Sequence, residues 1–222
     1  MNKNYTHITF VLDRSGSMGT LKSDTIGAVN KFVEEQKAVK GKATFTLALF
    51  DDQHDIVHDF VDLKFVNGLN NENYVPRGWT ALHDAIGRNI NRTGSQLAAM
   101  KEQDRPEKVL FVIMTDGHEN YSREFSLAKV ASMIDHQDKT YNWDFVFLGA
   151  DKDTFLVAKS LNIPAGNTNT YELTSGGINL NFTELSNSAG SYRSGSSMKG
   201  KFFGNKEYEF DVNGKPQVKN VT

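Results

Sequence analysis

The chain has 222 residues, with 25 Lys and Arg against 27 Asp and Glu, a formal net charge of −2, and 38% hydrophobic residues. That length and apolar content suit one sizeable domain with its own core, and the missing basic excess argues against a chain built to neutralise nucleic-acid phosphates. With no cysteine in the sequence, disulfides, thiolate zinc sites and cysteine nucleophiles are excluded, and no run approaches the roughly 18 continuous apolar residues that span a bilayer.

The opening MNKNYTHITF lacks an apolar stretch of signal-peptide length, so the expected compartment is the cytoplasm. His7 to Leu12 is rich in β-branched and aromatic residues and reads as a first strand. From Leu21 the period changes: Leu21, Thr25, Ala28, Val29, Phe32 and Val33 fall three or four apart, as on one face of a helix that Gly41 closes. Ala43–Phe50 is a strand, Asp51-Asp52-Gln53 a turn, and Ile56–Val61 a second strand at hairpin distance, hence antiparallel. A polar, Asn-rich connection runs from Asn67 to Asn73, and Pro76 and Gly78 break the chain before Trp79-Thr80.

Helical spacing returns with Leu82, Ala85, Ile86, Asn89, Ile90 and Leu97. Val109–Met114 is continuously apolar, which predicts a strand covered on both faces. A short helix is predicted over Leu127–Ile134 with Ser126 as its cap, a buried strand over Trp143–Leu148, a helix over Thr154–Leu161 and an edge strand over Thr168–Leu173. This order, β-α-β-β-α-β-α-β-α-β, predicts a doubly wound α/β fold: a mostly parallel sheet with one antiparallel edge strand and helices on both faces. Ile178, Phe182, Leu185, Ala189 and Tyr192 form one stripe of a last helix, over residues 176–195, expected to dock on the domain formed by residues 1–175. Residues 196–222 are expected to form a flexible or hairpin arm, in which Lys199, Lys201 and Lys206 interleave with Phe202 and Phe203.

Two buried strands end on acids: Leu12 is followed by Asp13-Arg14-Ser15-Gly16-Ser17, and Met114 by Thr115-Asp116-Gly117. In an open parallel sheet, ligands bind beyond the carboxyl ends of the strands. Thr80, at a helix start, belongs on the same rim. Ser15, Ser17 and Thr80 supply short neutral hydroxyls, Asp13 and Asp116 supply charge, and Gly16 lets the first loop fold back. That all-oxygen set suits a hard cation, Mg2+ before Mn2+ or Ca2+. With hydroxyls bound directly and acids through water, the ion would stay under-neutralised and attract an outside carboxylate. The competing structural reading is that Ser15, Ser17 and Thr80 only cap helices.

Asp13-Arg14-Ser15-Gly16-Ser17, Thr80 within Gly78-Trp79-Thr80-Ala81-Leu82, and Asp116 within Thr115-Asp116-Gly117 together resemble the metal-ion-dependent adhesion site, or MIDAS, of von Willebrand factor A domains. The resemblance runs over about residues 5–175 and is nearest to stand-alone bacterial and bacteriophage proteins of that family. It implies direct metal ligation by Ser15, Ser17 and Thr80, ligation through water by Asp13 and Asp116, and a shell completed by an Asp or Glu of a partner protein. Trp79 departs from the pattern, standing where a second glycine is usual, and places an aromatic beside the site.

Further residues belong to the rim of that site. Asp84, in the first turn of a helix, has a sufficient explanation in the helix dipole but is also placed to support a serine. His118 and Glu119 follow Asp116 on the same loop, where Glu119 is placed to tune selectivity or partner contact, although a solvated acid is the commoner role. Asp51 follows a strand's carboxyl end and faces the same rim. His54 and His58, four apart in a strand, lie about 13 Å from each other and cannot share an ion.

The function expected from these residues is a metal-dependent protein-binding module, not an enzyme, with no membrane and no nucleic acid as partner and with the C-terminal arm as an additional contact. Two alternatives are a phosphoesterase-like metal-dependent hydrolase and an adaptor for a separate AAA-type ATPase. Haloacid-dehalogenase-type phosphatases carry Asp-x-Asp after the first strand, whereas here Ser15 takes the second place, without a base beside it. No phosphate-binding Gly-x-x-x-x-Gly-Lys-Ser/Thr loop is present.

Overall fold

A computed structural model describes residues 1–150, 153–196, 198–211 and 216–221. Strand β1 (Asn2–Asp13) leads through a 3-10 turn into helix α1 (Lys22–Ala38), followed by β2 (Lys42–Phe50), β3 (His54–Asp62), α2 (Leu82–Ala99) and β4 (Pro106–Thr115). Then come α3 (Leu127–Tyr141), β5 (Asp144–Gly149), α4 (Thr154–Ser160), β6 (Thr168–Thr170) and α5 (Ser175–Arg193), and finally β7 (Lys206–Phe210) and β8 (Pro216–Asn220). The six-stranded sheet has the order β3-β2-β1-β4-β5-β6 and is parallel except for β3 at one edge. The expected doubly wound α/β architecture is therefore present. β1 and β4 are neighbours at the point where the strand order reverses, and their carboxyl ends leave a crevice there.

Alternation along β1 divides the core. Ile8, Phe10 and Leu12 face one side, against Ala28, Val29 and Phe32 of α1 and Phe182 and Leu185 of α5. Phe10 meets Phe32 edge-on at 5.8 Å and stacks on Phe182 at 6.0 Å. Val11 faces the other side, with Ile86 and Ile90 of α2, Ile134 of α3 and Ala158 of α4. Each fully buried large side chain contributes roughly 1.5–3 kcal/mol, so this two-faced packing fixes β1, and with it the position of Asp13. Among the described residues, no helix is long and apolar enough to cross a membrane.

The ends of α3 and β6 differ most clearly from those predicted. α3 continues to Tyr141, because nothing breaks it after Ile134: Lys139 pairs with Asp135 one turn back, and the helix closes at Asn142 in the left-handed conformation, φ 56°. β6 stops at Thr170, since Tyr171 turns inward and its hydroxyl donates to the Thr115 carbonyl at 3.2 Å. Thr174 then caps α5, accepting from the Gly177 N–H at 3.0 Å. β7 and β8 pair as an antiparallel ribbon, and Phe202 before them is buried. Ser197, residues 212–215 and Thr222 of that arm lie outside the described residues.

On the α2 side of β1 a polar ladder is buried. His7 Nδ1 bonds the Thr44 hydroxyl at 2.9 Å, His7 Nε2 bonds that of Thr9 at 3.1 Å, and Thr9 meets Thr93 at 3.1 Å. The imidazole stacks on Phe60 at 4.1 Å. Burial pushes the His7 pKa down to about 3, whereas an unfolded histidine titrates near 6.5. The folded state thus refuses a proton that the unfolded state takes up. Below about pH 6.5 this group removes stability at about 1.4 kcal/mol per pH unit, down to its folded pKa. Urea denaturation of the wild type and of His7→Gln in chelator, between pH 7 and pH 4.5, is expected to show the acid-side loss reduced by that slope in the variant. Parallel curves would refute the assignment.

Candidate metal centre

Asp13 closes β1 and is fully buried. Its Oδ1 accepts the Ser15 N–H at 2.6 Å and its Oδ2 accepts the Thr115 hydroxyl at 2.6 Å, a link across the β1–β4 crevice. Two buried phenols hold the same strand ends: Tyr74 donates to the Asp13 carbonyl at 2.8 Å and Tyr171 to that of Thr115. The Ser15 and Ser17 hydroxyls lie 3.1 Å apart, and Ser17 donates to Asp116 Oδ1 at 2.7 Å. Thr80 completes the group: a methyl built on Gly117 would sit 3.5 Å from Thr80 Oγ1 and 3.7 Å from Ser17 Oγ. Side chains from three distant segments therefore converge at one end of the crevice.

The hydroxyls are not spent on helix capping. Ser15 stands before the 3-10 turn without making a side-chain cap bond, and the cap position of α2 is Ala81, not Thr80. Burial pushes the Asp13 pKa up to about 7, against the hydrogen bonds from Thr115 and Ser15 and with a contribution from the Asp116 charge. Asp116 is likewise raised by burial and lowered in part by Ser17. Two desolvated carboxylates held together favour a positive charge between them. Among the described residues, no group of three or more His, Asp or Glu side chains is arranged to hold a metal ion; the donor set here is two carboxylates and three hydroxyls. That all-oxygen set fits a hard divalent cation and does not fit a soft one.

The loop needs glycine at Gly78 more than at Gly16. Gly16 has no left-handed φ, and a Cβ there would meet only the Gly78 carbonyl at 3.6 Å. Gly78 has φ 67°, and its missing Cβ would lie 2.0 Å from Asp52 Oδ1. Gly16 N–H donates to the Gly78 carbonyl at 3.3 Å and Arg77 N–H to that of Arg14 at 2.8 Å, so the first two loops are bonded to each other.

Asp51 anchors both. It is fully buried; its Oδ2 accepts from Arg14 Nε at 3.1 Å and Arg77 Nε at 2.9 Å, its Oδ1 accepts the Gln53 N–H at 2.5 Å, and its carbonyl accepts the Ala81 N–H at 3.0 Å. The remaining rim residues divide into clamps and exposed groups. Asp84 reaches no serine hydroxyl of the Ser15–Ser17 pair but accepts three backbone N–H groups, from Arg123, Glu124 and Phe125, at 2.8–2.9 Å. Glu119 is a bonded clamp rather than a solvated acid. It accepts the N–H groups of Tyr121, Ser122 and His83 and the Ser122 hydroxyl. Burial would raise its pKa, but these bonds prevail and hold it below the usual range. His118 is exposed, and Trp79 is 60% exposed beside Thr80. Sequence reasoning missed Tyr74, Tyr171, Arg77 and Asn120, which lie in loops without a periodic pattern.

The family model of the von Willebrand factor type A domain matches residues 7–177. No curated protein matches the chain. Among solved structures, proximal thread matrix protein 1 of the mussel byssus, with a zinc-occupied MIDAS motif, superposes with a TM-score of 0.57 at 13% identity, over 86% of this chain and 47% of that one. The von Willebrand factor domain of the type V pili tip protein of Porphyromonas gingivalis gives 0.63 at 11% identity, over 86% and 97%. The manganese-loaded TRAP protein of Plasmodium vivax gives 0.51 at 12% identity, over 82% and 74%. The chain thus spans about half the length of the mussel protein, and likenesses at these identities speak for the fold.

Proposed function

Since the chain belongs to the von Willebrand factor type A family, we propose that it is a divalent-metal-dependent protein-binding module that captures an acidic residue of a partner. The observation that carries this reading is the convergence of Asp13, Asp116, Ser15, Ser17 and Thr80 with their hydroxyls left out of helix capping. Ser15, Ser17 and Thr80 would hold the ion directly, and Asp13 and Asp116 through water; Mg2+ suits the set best, with Mn2+ or Ca2+ as substitutes. A divalent ion bound there supplies a positive centre for an Asp or Glu side chain. The chain's own part is to present neutral oxygens, keep both carboxylates ionised beside the ion, and leave one side open at the exposed Trp79 rim. The C-terminal ribbon offers a second surface to the same partner.

Calorimetric titration with Mg2+ and Mn2+ tests the site. Wild-type protein is expected to bind one ion, and the double variant Ser15→Ala/Ser17→Ala to bind at least about 100-fold more weakly, with an unchanged melt in chelator. Partner capture is then expected to vanish in EDTA. Capture unaffected by EDTA, or no heat on titration, would sink the proposal.

A further inference from the structure

Four of the five converging side chains are joined in a series of contacts, Asp13 to the Ser15 backbone, Ser15 to Ser17, and Ser17 to Asp116. Thr80 is outside that series: among the described residues, no side-chain hydrogen bond ties its hydroxyl to the other four. Its place is fixed through its backbone. Thr80 N–H donates to Asn120 Oδ1 at 2.9 Å, and Asn120 N–H donates to the Thr80 carbonyl at 3.0 Å. The pair is a two-point clamp, like one rung between antiparallel strands, between the loop after β4 and the entrance to α2. Asn120 is itself exposed and lies on the loop that carries Asp116. That loop is pinned to the first turn of α2 on both sides of the clamp's next residues, by Glu119 accepting from His83 N–H at 2.9 Å and by Asp84 accepting from residues 123–125. The separation of Thr80 from Ser17 and Asp116 is therefore a property of this loop, not of the hydroxyl cluster.

We infer that Asn120 is a positioning residue of the metal site: its amide oxygen holds Thr80 opposite the Ser17–Asp116 pair and so sets how tightly a divalent ion is gripped. The inference rests on the metal-binding reading above, and it assigns a role to a residue that would touch neither ion nor partner carboxylate. Removing the acceptor frees the Thr80 peptide, lets its hydroxyl drift from the other four, and weakens binding as loss of an outer-shell support does. An aspartate at the same place keeps an acceptor oxygen for the Thr80 N–H and should keep the grip.

The test is a titration with Mn2+ followed by the electron paramagnetic resonance of free ion, for wild type, Asn120→Ala, Asn120→Asp, Thr80→Ala and the double variant Asn120→Ala/Thr80→Ala. Melts in chelator check each fold; Asn120→Leu, similar in size without the acceptor, replaces Asn120→Ala if that chain does not fold. Asn120→Ala is expected to bind about tenfold more weakly, Asn120→Asp to recover most of the loss, and the double variant to bind no worse than Thr80→Ala. The last outcome separates action through Thr80 from general loosening, because residues that act through one another are not additive. Wild-type affinity in Asn120→Ala, no recovery in Asn120→Asp, or a double loss equal to the product of the single losses would overturn the inference while leaving the metal site standing. A wild-type chain that binds no Mn2+ would overturn both.

Discussion

Asp13→Asn is expected to stabilise the protein in chelator and to destabilise it, relative to wild type, at saturating Mn2+. The buried carboxylate of Asp13 has its pKa raised from 3.8 to about 7, which corresponds to roughly 4 kcal/mol against the charged form. Asparagine removes that charge and can retain the geometry: its Oδ1 accepts the Ser15 N–H, and its amide can donate to Thr115 Oγ1, whose own proton turns to the Gly117 carbonyl 3.2 Å away. Allowing for the loss of two charge-assisted bonds, the expected gain at pH 8 without metal is roughly 1–3 kcal/mol.

The sign with pH follows from the raised value. Folded Asp13 keeps its proton between about pH 4 and pH 7 while the unfolded residue loses it. Metal-free wild type therefore loses stability from this group as pH rises through that window, and the variant does not; the opposing contribution of His7 is common to both and cancels in the difference. Mn2+ at 1,000 times the dissociation constant then stabilises wild type by about 4.1 kcal/mol, and the variant by little or nothing. Chemical denaturation at pH 8, with and without Mn2+, checks the crossing. A variant less stable than wild type in chelator, or equally stabilised by Mn2+, would contradict it.

Asp51→Ala is expected to cost about 3–5 kcal/mol, the range for breaking a buried ion pair from one side. Asp51 has no exposed surface, and among the described residues its removal leaves the buried Arg14 with Asp55 alone, at 2.6 Å, as a carboxylate partner. It also removes the Arg77 Nε partner, leaving that side chain to Gln53 Oε1 at 2.9 Å and Asp55 at 3.8 Å, and leaves the Gln53 N–H without its acceptor. Asp51→Asn, which keeps an acceptor for Gln53, should fall between. Because Arg14 and Arg77 belong to the loops that carry Ser15 and Thr80, metal affinity is expected to fall together with stability. Urea titration measures the first and calorimetry the second; a loss within 1 kcal/mol of wild type would show that Arg14 and Arg77 are held well enough without the acid.

The sequence carried the sheet plainly because each buried strand has its own local signature: the apolar run of Val109–Met114 lies at the centre of the sheet, and the alternation of β1 divides two cores. Asp13, Ser15, Ser17, Thr80 and Asp116 were legible because each stands directly beyond a strand end or beside a helix start, and parallel strands bring such ends to one rim. What holds those residues was not legible. Tyr74 and Tyr171 each act through one hydroxyl hydrogen bond and Asn120 through a pair of bonds to Thr80, over 40 to 61 positions of sequence separation, and a loop tyrosine or asparagine has no pattern that announces such a partner. Glu119 looked like solvent-facing charge because acceptors of backbone N–H groups resemble any other loop acid until the fold closes. Gly78, rather than Gly16, carries the left-handed turn, and the proximity of Asp52 Oδ1 excludes a Cβ there as well.

The two tryptophans of the chain lie in opposite settings: Trp79 is 60% exposed next to Thr80, and Trp143, just before β5, is 3% exposed. Excited together, they should emit as two separable populations, one red-edged and open to acrylamide, the other blue and shielded. Whatever settles on the rim perturbs the first alone, whereas unfolding brings the second into water. The unmodified chain thus reports occupancy and integrity through separate colours of one spectrum.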